Sequence, residues 1–211
     1  MWNKNNYLPR KVTPIEISCT ILPKNISSFA QNNYFTLQEL RKVAVIGPES
    51  TGKSELCQRL SAHYETEWVP EFARFYIDRL DRPYEKDDLR IIAETQLTWE
   101  DDKAEYANEY LFCDTNLIVI KIWSDHKYGE TDPWIEEQLA SRKYDFYLLP
   151  NIDIPWRPDP QREHPQLRKH FFQVYEDYLK ENDLSYAIVS GIEGKRKKSA
   201  LEAINKHFTS L

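Results

Sequence analysis

The stretch VAVIGPESTGKS, residues 43–54, decides the fold of this chain. Its first four residues are apolar and mostly β-branched, which is typical of a strand buried on both faces of a sheet. The next eight match G-x-x-x-x-G-K-[ST], a pattern in which backbone N–H groups wrap around phosphate groups. Leu56 and Leu60 follow at helical spacing. The stretch therefore predicts a strand, a phosphate-binding loop and a helix, in that order.

Each fixed position of the pattern in this phosphate loop, residues 47–54, has a chemical role. Gly47 and Gly52 leave room for the backbone to approach the phosphates, Lys53 brings a positive charge to the outer phosphates, and Ser54 offers a hydroxyl to Mg²⁺. The helix that follows points its positive end at the same anion. We therefore expect ATP and Mg²⁺ as cofactors. The expected nucleotide contacts are Gly47, Pro48, Glu49, Ser50, Thr51, Gly52, Lys53, Ser54 and Glu55.

Short apolar strands alternate with helices along the rest of the chain. Further strands are predicted near 67–69, 110–113, 145–149 and 186–189. Helices are predicted near 71–80, 85–107, 116–127, 132–142, 165–181 and 195–208. This alternation is typical of an α/β fold with a mostly parallel sheet between two layers of helices. We therefore predict a P-loop NTPase domain over residues 41–211, a three-layer sandwich with five strands. Residues 1–40 are polar, carry one weak strand pattern at 15–22, and are predicted to be an N-terminal extension.

Composition excludes several classes of protein. The 211 residues carry 28 Lys+Arg against 34 Asp+Glu, so the net charge is −6, which argues against nucleic-acid binding. No run of 18 apolar residues is present, so no membrane-spanning helix is expected. Three cysteines without a C-x-x-C pair favour the reducing cytoplasm. The sequence leaves the oligomeric state open.

A carboxylate that organises the metal should follow the strand beside the phosphate loop. Asp114 ends the apolar run 110–113 and would lie at the carboxyl edge of the sheet, where ligands bind. Asp145 precedes its strand and would lie at the opposite edge. The alternative for Asp114 is a helix N-cap, a role that Thr115 could also take. We expect Ser54 and Asp114 to be the metal ligands.

Glu71 and Arg74 follow the second strand and share one face of a helix start. Glu71 could accept the proton of a substrate hydroxyl or a hydrogen bond from a sugar. The alternative is an ordinary surface ion pair. Whether Glu71 or Asp114 is the catalytic base stays open at this point.

Five segments in this order resemble a known family: GPESTGKS, VPEFARFY, AETQLTWE, FCDTN and PWRPDPQRE. Together they resemble the ribosylnicotinamide kinase domain of the bifunctional bacterial NAD-biosynthesis regulator, over about residues 42–208. The resemblance implies a nucleoside/nucleotide kinase-like fold and transfer of a phosphoryl group from ATP to the 5′-hydroxyl of nicotinamide riboside. The regulator's adenylyltransferase and DNA-binding activities are expected to be absent, since no H-x-G-H motif is present and 40 N-terminal residues are too few.

The resemblance also implies roles for single residues. Glu71 and Arg74 would face the acceptor sugar, and Gln96 the base. Asn116 stands where the family usually has a second Asp, and it is expected near the substrate with Trp156. Residues 151–164, named the lid below, would bring Arg157 and Arg162 over ATP as catalytic groups. Gly191 would approach the adenine with its backbone.

Two interpretations remain beside nicotinamide riboside kinase. One is a kinase for another nucleoside, and the other is a P-loop ATPase that acts as a regulatory or binding module. The basic run 195–198 is interpreted as a solvated helix start, because the chain as a whole is acidic.

Overall fold

The computed structural model of the chain describes residues 39–162 and 164–209. Over these residues the strands are β1 (Arg41–Val45), β2 (Trp68–Val69), β3 (Tyr110–Asp114), β4 (Phe146–Pro150) and β5 (Tyr186–Val189). The helices are α1 (Lys53–Tyr64), α2 (Phe72–Ile77), α3 (Lys86–Ala104), α4 (Leu117–Tyr128), α5 (Pro133–Ser141), α6 (Arg168–Glu181) and α7 (Gly194–Thr209). A 3₁₀ turn, Pro165–Leu167, precedes α6. The strand pattern predicted at 15–22 and almost all of the predicted extension lie outside the described residues.

The strands of the described region form one sheet in the order β2-β3-β1-β4-β5, and every pairing is parallel. The predicted mostly parallel sheet is thus confirmed as entirely parallel. Because β1 lies between β3 and β4, the strand order reverses beside it, which is where open α/β sheets bind ligands. Val45, the last residue of β1, is paired with Asp114 at the end of β3. The phosphate loop and Asp114 therefore leave the same edge of the sheet side by side.

Alternating side chains of the central strands build the cores on the two faces of the sheet. Ala44 packs in a buried cluster with residues of α4 and α6. Its neighbours Val43 and Val45 pack in a second cluster with residues of α1 and α7. Since successive side chains of a strand point to opposite faces, strands this apolar need a helix layer on each side. This confirms the three-layer architecture.

A third apolar cluster lies away from the sheet, where α3 packs against α4 and α5. Its buried members include Leu89, Ile92, Leu117 and Ile120. Three of them, Leu89, Ile92 and Ile120, also line the cavity into which the phosphate loop opens. No helix within 39–162 or 164–209 combines the length and apolar character needed to cross a bilayer.

Candidate active site

A cavity of about 570 Å³ opens at the carboxyl edge of the sheet. The phosphate loop, Arg59 and Ile192 line one end of it. Side chains of α2, α3 and α4 line the other end, most of them apolar: Ala73, Ile77, Leu89, Ile92, Val119 and Ile120. The cavity therefore joins a polar, anion-binding end to an apolar end, which suits a phosphate donor on one side and a ring-bearing acceptor on the other.

The phosphate loop has the backbone shape that its sequence predicts. Gly47 and Gly52 have φ angles of +140° and +78°, in the region that L side chains rarely adopt. A Cβ atom on Gly47 would also approach Leu149 Cδ1 to 3.0 Å. The Lys53 ammonium group donates to the carbonyls of Gly47 and Pro48 at 3.0 Å each, so it lies across the mouth of the loop. This is the arrangement in which backbone N–H groups and one lysine surround an anion.

Asp114 is 1 % exposed and interacts with Lys53 and Ser54 of the phosphate loop. Burial raises its pKa to about 7, the charge of Glu71 adds to that shift, and Lys53 and Ser54 oppose it. Its Oδ1 is buried and has no hydrogen-bond partner in the described part of the chain. A buried carboxylate oxygen and a neighbouring serine hydroxyl are the kind of hard oxygen ligands that Mg²⁺ prefers. Mg²⁺ usually keeps waters and substrate phosphates as its other ligands.

Asn116, which was expected near the substrate, directly precedes α4 and directly follows Thr115, a residue that lines the cavity. Its side chain accepts a hydrogen bond from the Ile118 backbone N–H at 3.1 Å and is the N-cap of α4. It is fully buried and does not line the cavity. The helix needs an acceptor at this point for its first N–H groups, so the amide is turned into the helix. The cap that was the alternative role for Asp114 or Thr115 thus belongs to the next residue.

Glu71 and Arg74 form the expected pair, with 3.4 Å between Glu71 Oε2 and Arg74 Nε. Glu71 precedes α2 but makes no capping hydrogen bond with its side chain, so the carboxylate is available to the cavity that it lines. Arg74 also donates to Asp159 Oδ2 at 3.1 Å. Its positive charge is therefore shared by two carboxylates, and its evident effect is to hold Glu71 in place.

Gln96 reaches the cavity from the buried stripe of α3. Its Oε1 accepts the Phe72 backbone N–H at 2.9 Å. Because an N–H group must meet an oxygen, this bond determines which end of the amide is which. The Nε2 group is buried and has no partner among the described residues. The atom of Gln96 that lacks a partner is therefore the Nε2 donor, in a residue that lines the cavity.

The lid lies on the phosphate loop and on α2. The Arg157 backbone N–H donates to Ser50 Oγ at 3.0 Å, and Arg162 donates to the Arg157 carbonyl at 2.5 Å. Both arginines line the cavity, as expected. Trp156 is not among the lining residues, and its contact with a substrate stays a prediction. Its ring centre lies 5.9 Å from the Arg168 guanidinium carbon.

Gly191 does not present a free backbone to a nucleotide. Its N–H donates to Asp153 Oδ2 at 2.6 Å, and its carbonyl accepts from Arg196 Nε at 2.8 Å. Both polar groups of this backbone unit thus have partners within the protein, and the next two residues, Ile192 and Glu193, line the cavity. Ile192 is 56 % exposed and offers an apolar surface at the phosphate-loop end.

Sequence reasoning missed Arg168 and Arg196, and it was wrong about Arg196. That residue is 5 % exposed, whereas Lys195 and Lys198 beside it are exposed. A signal was present, because Arg196, Ala200 and Ile204 recur at four-residue intervals and share the buried face of α7. The interpretation of residues 195–198 rested on the charge of the run as a whole, so it did not consider that Arg196 alone lies on the buried face of the helix. Arg168 carried no comparable signal.

Comparison with known proteins places the chain in a family. The family model AAA_28, described as an AAA domain, matches residues 42–196. The chain belongs to this AAA domain family. The "Trifunctional NAD biosynthesis/regulator protein NadR" of Salmonella typhimurium is 27 % identical over 158 residues, which are 71 % of this chain and 38 % of the relative. The chain thus corresponds to well under half of that relative's length.

Solved structures agree on the fold. A crystal structure of NadR in complex with NR superimposes with a TM-score of 0.67 at 22 % identity, covering 79 % of this chain and 49 % of that one. Thymidylate kinase from Candida albicans gives a TM-score of 0.56 at 14 % identity, covering 79 % of this chain and 92 % of that one. These matches confirm the resemblance and the kinase-like fold that the motifs predicted. They are consistent with the predicted class of enzyme, an ATP-dependent phosphotransferase.

Proposed function

We propose that this AAA domain family member transfers the γ-phosphoryl group of ATP to the 5′-hydroxyl of nicotinamide riboside, giving the mononucleotide. The observation that carries the proposal is the cavity that joins the phosphate loop to a mainly apolar acceptor end holding one carboxylate and one amide donor. The regulator matched in sequence is named for NAD biosynthesis, and a matched structure is titled as a complex with NR. Both support the choice of acceptor.

The reaction divides among the residues by position. Lys53 and the backbone N–H groups of the phosphate loop would bind the β- and γ-phosphates, and Mg²⁺ held by Ser54 and Asp114 would neutralise charge on them. We assign Glu71 as the base that takes the proton of the 5′-hydroxyl. The hydroxyl oxygen then bonds to the γ-phosphorus as its bond to the bridging oxygen breaks, and ADP leaves. Arg157 and Arg162 would stabilise the charge on the transferred group.

The unpartnered Nε2 donor of Gln96 supports an acceptor with a carbonyl group. Its Oε1 already accepts from the Phe72 N–H, so the amide is oriented with Nε2 as the group that still needs a partner. The carboxamide oxygen of nicotinamide could accept from Nε2 while the flat ring packs on the neighbouring apolar side chains. A buried donor left unpaired costs about 1–3 kcal/mol, so this contact would contribute measurably to the choice of substrate.

The test is ADP release from ATP and Mg²⁺, with and without each of a panel of nucleosides. We expect strong stimulation by nicotinamide riboside, with the mononucleotide as product. Stimulation by a different nucleoside would show that the protein is a kinase with that nucleoside as its acceptor. A rate unchanged by every nucleoside would favour the second candidate, a regulatory or binding ATPase. Lys53→Ala is the matched control, since it should abolish turnover of either kind in a folded protein.

A further inference from the structure

We propose that Arg168 and Arg196 are positioning residues that hold the phosphate loop by its backbone carbonyls and thereby aim its N–H groups at the nucleotide phosphates. The two residues are named the arginine clasp below. The inference requires that the loop binds a phosphate chain, as in the proposed function, but it does not depend on which acceptor is used.

Arg196 joins three loops that leave the same edge of the sheet. Its guanidinium group donates to the Thr51 carbonyl in the phosphate loop and to the Gly191 carbonyl after β5. It also donates to the Asn151 carbonyl at 3.1 Å and forms an ion pair with Asp153, both after β4. Four hydrogen bonds from one buried guanidinium group form a rigid link that a lysine, with its single nitrogen, could not reproduce.

Arg168 makes the neighbouring contact from the start of α6. One nitrogen donates to the Ser50 carbonyl at 3.0 Å, and another donates to the Ile154 carbonyl in the lid at 3.1 Å. Consecutive carbonyls of the phosphate loop, those of Ser50 and Thr51, are thus each bound by an arginine from a different helix.

The geometry of the peptide bond turns these carbonyl contacts into control of the loop. In a planar trans peptide, the C=O of one residue and the N–H of the next point in opposite directions. Holding the Ser50 and Thr51 carbonyls toward the arginines therefore turns the N–H groups of Thr51 and Gly52 the other way. Such N–H groups are the ones that a phosphate-binding loop presents to its anion.

The positive φ angles explain why the loop needs an external hold. Ser50 has a φ of +55° and Gly52 a φ of +78°. A non-glycine residue in this region costs free energy and persists only where the surroundings hold it. Ser50 is held on both sides, since Arg168 binds its carbonyl and the Arg157 N–H binds its side chain. The clasp would pre-organise the loop and so reduce the ordering cost of nucleotide binding.

The test compares Arg196→Met, Arg196→Lys and Arg168→Met by calorimetric titration with two probes, ADP and inorganic tripolyphosphate, each with Mg²⁺. We expect every variant to bind both probes at least about tenfold more weakly than the unaltered protein. The Lys variant should behave like the Met variant, because the clasp depends on the forked geometry and not on the charge. Tripolyphosphate lacks adenosine, so it reports on the phosphate loop alone.

Lys198→Met is the matched control. It removes a positive charge two residues along the same helix, from an exposed side chain whose Nζ lies 3.8 Å from Glu202 Oε1. It should leave both affinities unchanged. An equal loss in this control would mean that general electrostatic attraction, not the clasp, binds the phosphates.

Three further outcomes of the titrations would overturn the proposal. A loss for ADP without a loss for tripolyphosphate would mean that Arg196 acts through the loop after β5, and it would overturn the proposal. Unchanged affinities for folded variants would do the same. If Arg196→Met does not fold, Arg168→Met carries the test, because its contacts are fewer and its side chain is only partly buried. Failure of the unaltered protein to bind either probe would remove the phosphate site, and with it both the clasp and the proposed function.

Discussion

Asp114 and Glu100 are two buried carboxylates with pKa values raised to about 7, yet their surroundings differ. Burial is the main cause of both shifts. Asp114 is the last residue of β3 and interacts with Lys53, Ser54 and Glu71, which line the cavity. Glu100 lies on α3 and accepts a hydrogen bond from the Tyr144 hydroxyl at 2.6 Å, and it does not line the cavity.

The contrast teaches that a shifted pKa reports burial, whereas function depends on what the carboxylate faces. Asp114 interacts with the Lys53 and Ser54 side chains of the phosphate loop and with Glu71, and these three residues line the cavity. Glu100 faces a phenol and the apolar core. Gln96 sharpens the contrast, because it lies one helical turn before Glu100 on the same buried stripe and still reaches the cavity. The border between site and core thus falls between adjacent turns of α3.

The largest effect is expected for Asp114→Asn, which should lower kinase turnover by about 100-fold or more, as loss of a group that stabilises transition-state charge typically does. The folded protein should lose no stability, because the substitution removes a buried charge. ADP release and thermal unfolding measure the two effects. Activity within a few-fold of that of the unaltered enzyme would mean that Asp114, like Glu100, is a buried carboxylate without a role in catalysis.

The next effect concerns stability and its pH dependence. The pKa of Glu100 is raised above its unfolded value, so the folded state binds the proton more tightly and stability falls as the pH rises from about 4.5 to 7. The loss should approach about 3 kcal/mol above pH 7. Glu100→Gln should flatten this slope in urea unfolding between pH 5 and 8 and leave turnover unchanged.

Glu105→Gln is the control for this slope. Glu105 is exposed at the end of the same helix, so the substitution should leave the pH dependence intact. A loss of turnover in Glu100→Gln would contradict the division between the two carboxylates.

A smaller effect, about tenfold, is expected for Gln96→Glu. The carboxylate keeps an oxygen for the Phe72 N–H but replaces the donor that faces the cavity with a second oxygen. The value of kcat/KM should fall more for the riboside of nicotinic acid, whose carboxylate would be repelled, than for the riboside of nicotinamide. An unchanged ratio between the two substrates would show that Gln96 does not contact this substituent.

The smallest effect is expected for Tyr144→Phe. The lost hydrogen bond to Glu100 should cost about 1 kcal/mol of the free energy of unfolding. That bond lowers the pKa of Glu100, so its loss should raise this pKa and make the destabilisation greater at pH 8 than at pH 5. Urea unfolding at the two pH values measures the difference. Equal losses at both would argue against coupling between the two groups.

Much of the fold was predictable because its signals are local. The run 43–54 predicts its strand, loop and helix from neighbouring residues alone, and the position of Asp114 follows from the parallel strand order. Glu71, Arg74 and Gln96 reach the cavity where their helices were expected to carry them. Asn116 and Trp156 do not line the cavity, and for Asn116 the reason is a helix cap that the sequence pattern could equally assign to a ligand contact.

The sequence by itself determined the alternation of strands and helices, the phosphate loop and the edge of the sheet at which the site lies. Periodicity and a contiguous motif carry that information within a few residues. Only the tertiary structure decided which groups Arg196 binds, because its partner Thr51 is 145 residues away in the chain. It also decided that the Oε1 atom of Gln96 accepts from the Phe72 N–H, 24 residues away, and that Nε2 is left without a partner among the described residues. Contacts at such separations depend on packing, which no local pattern encodes.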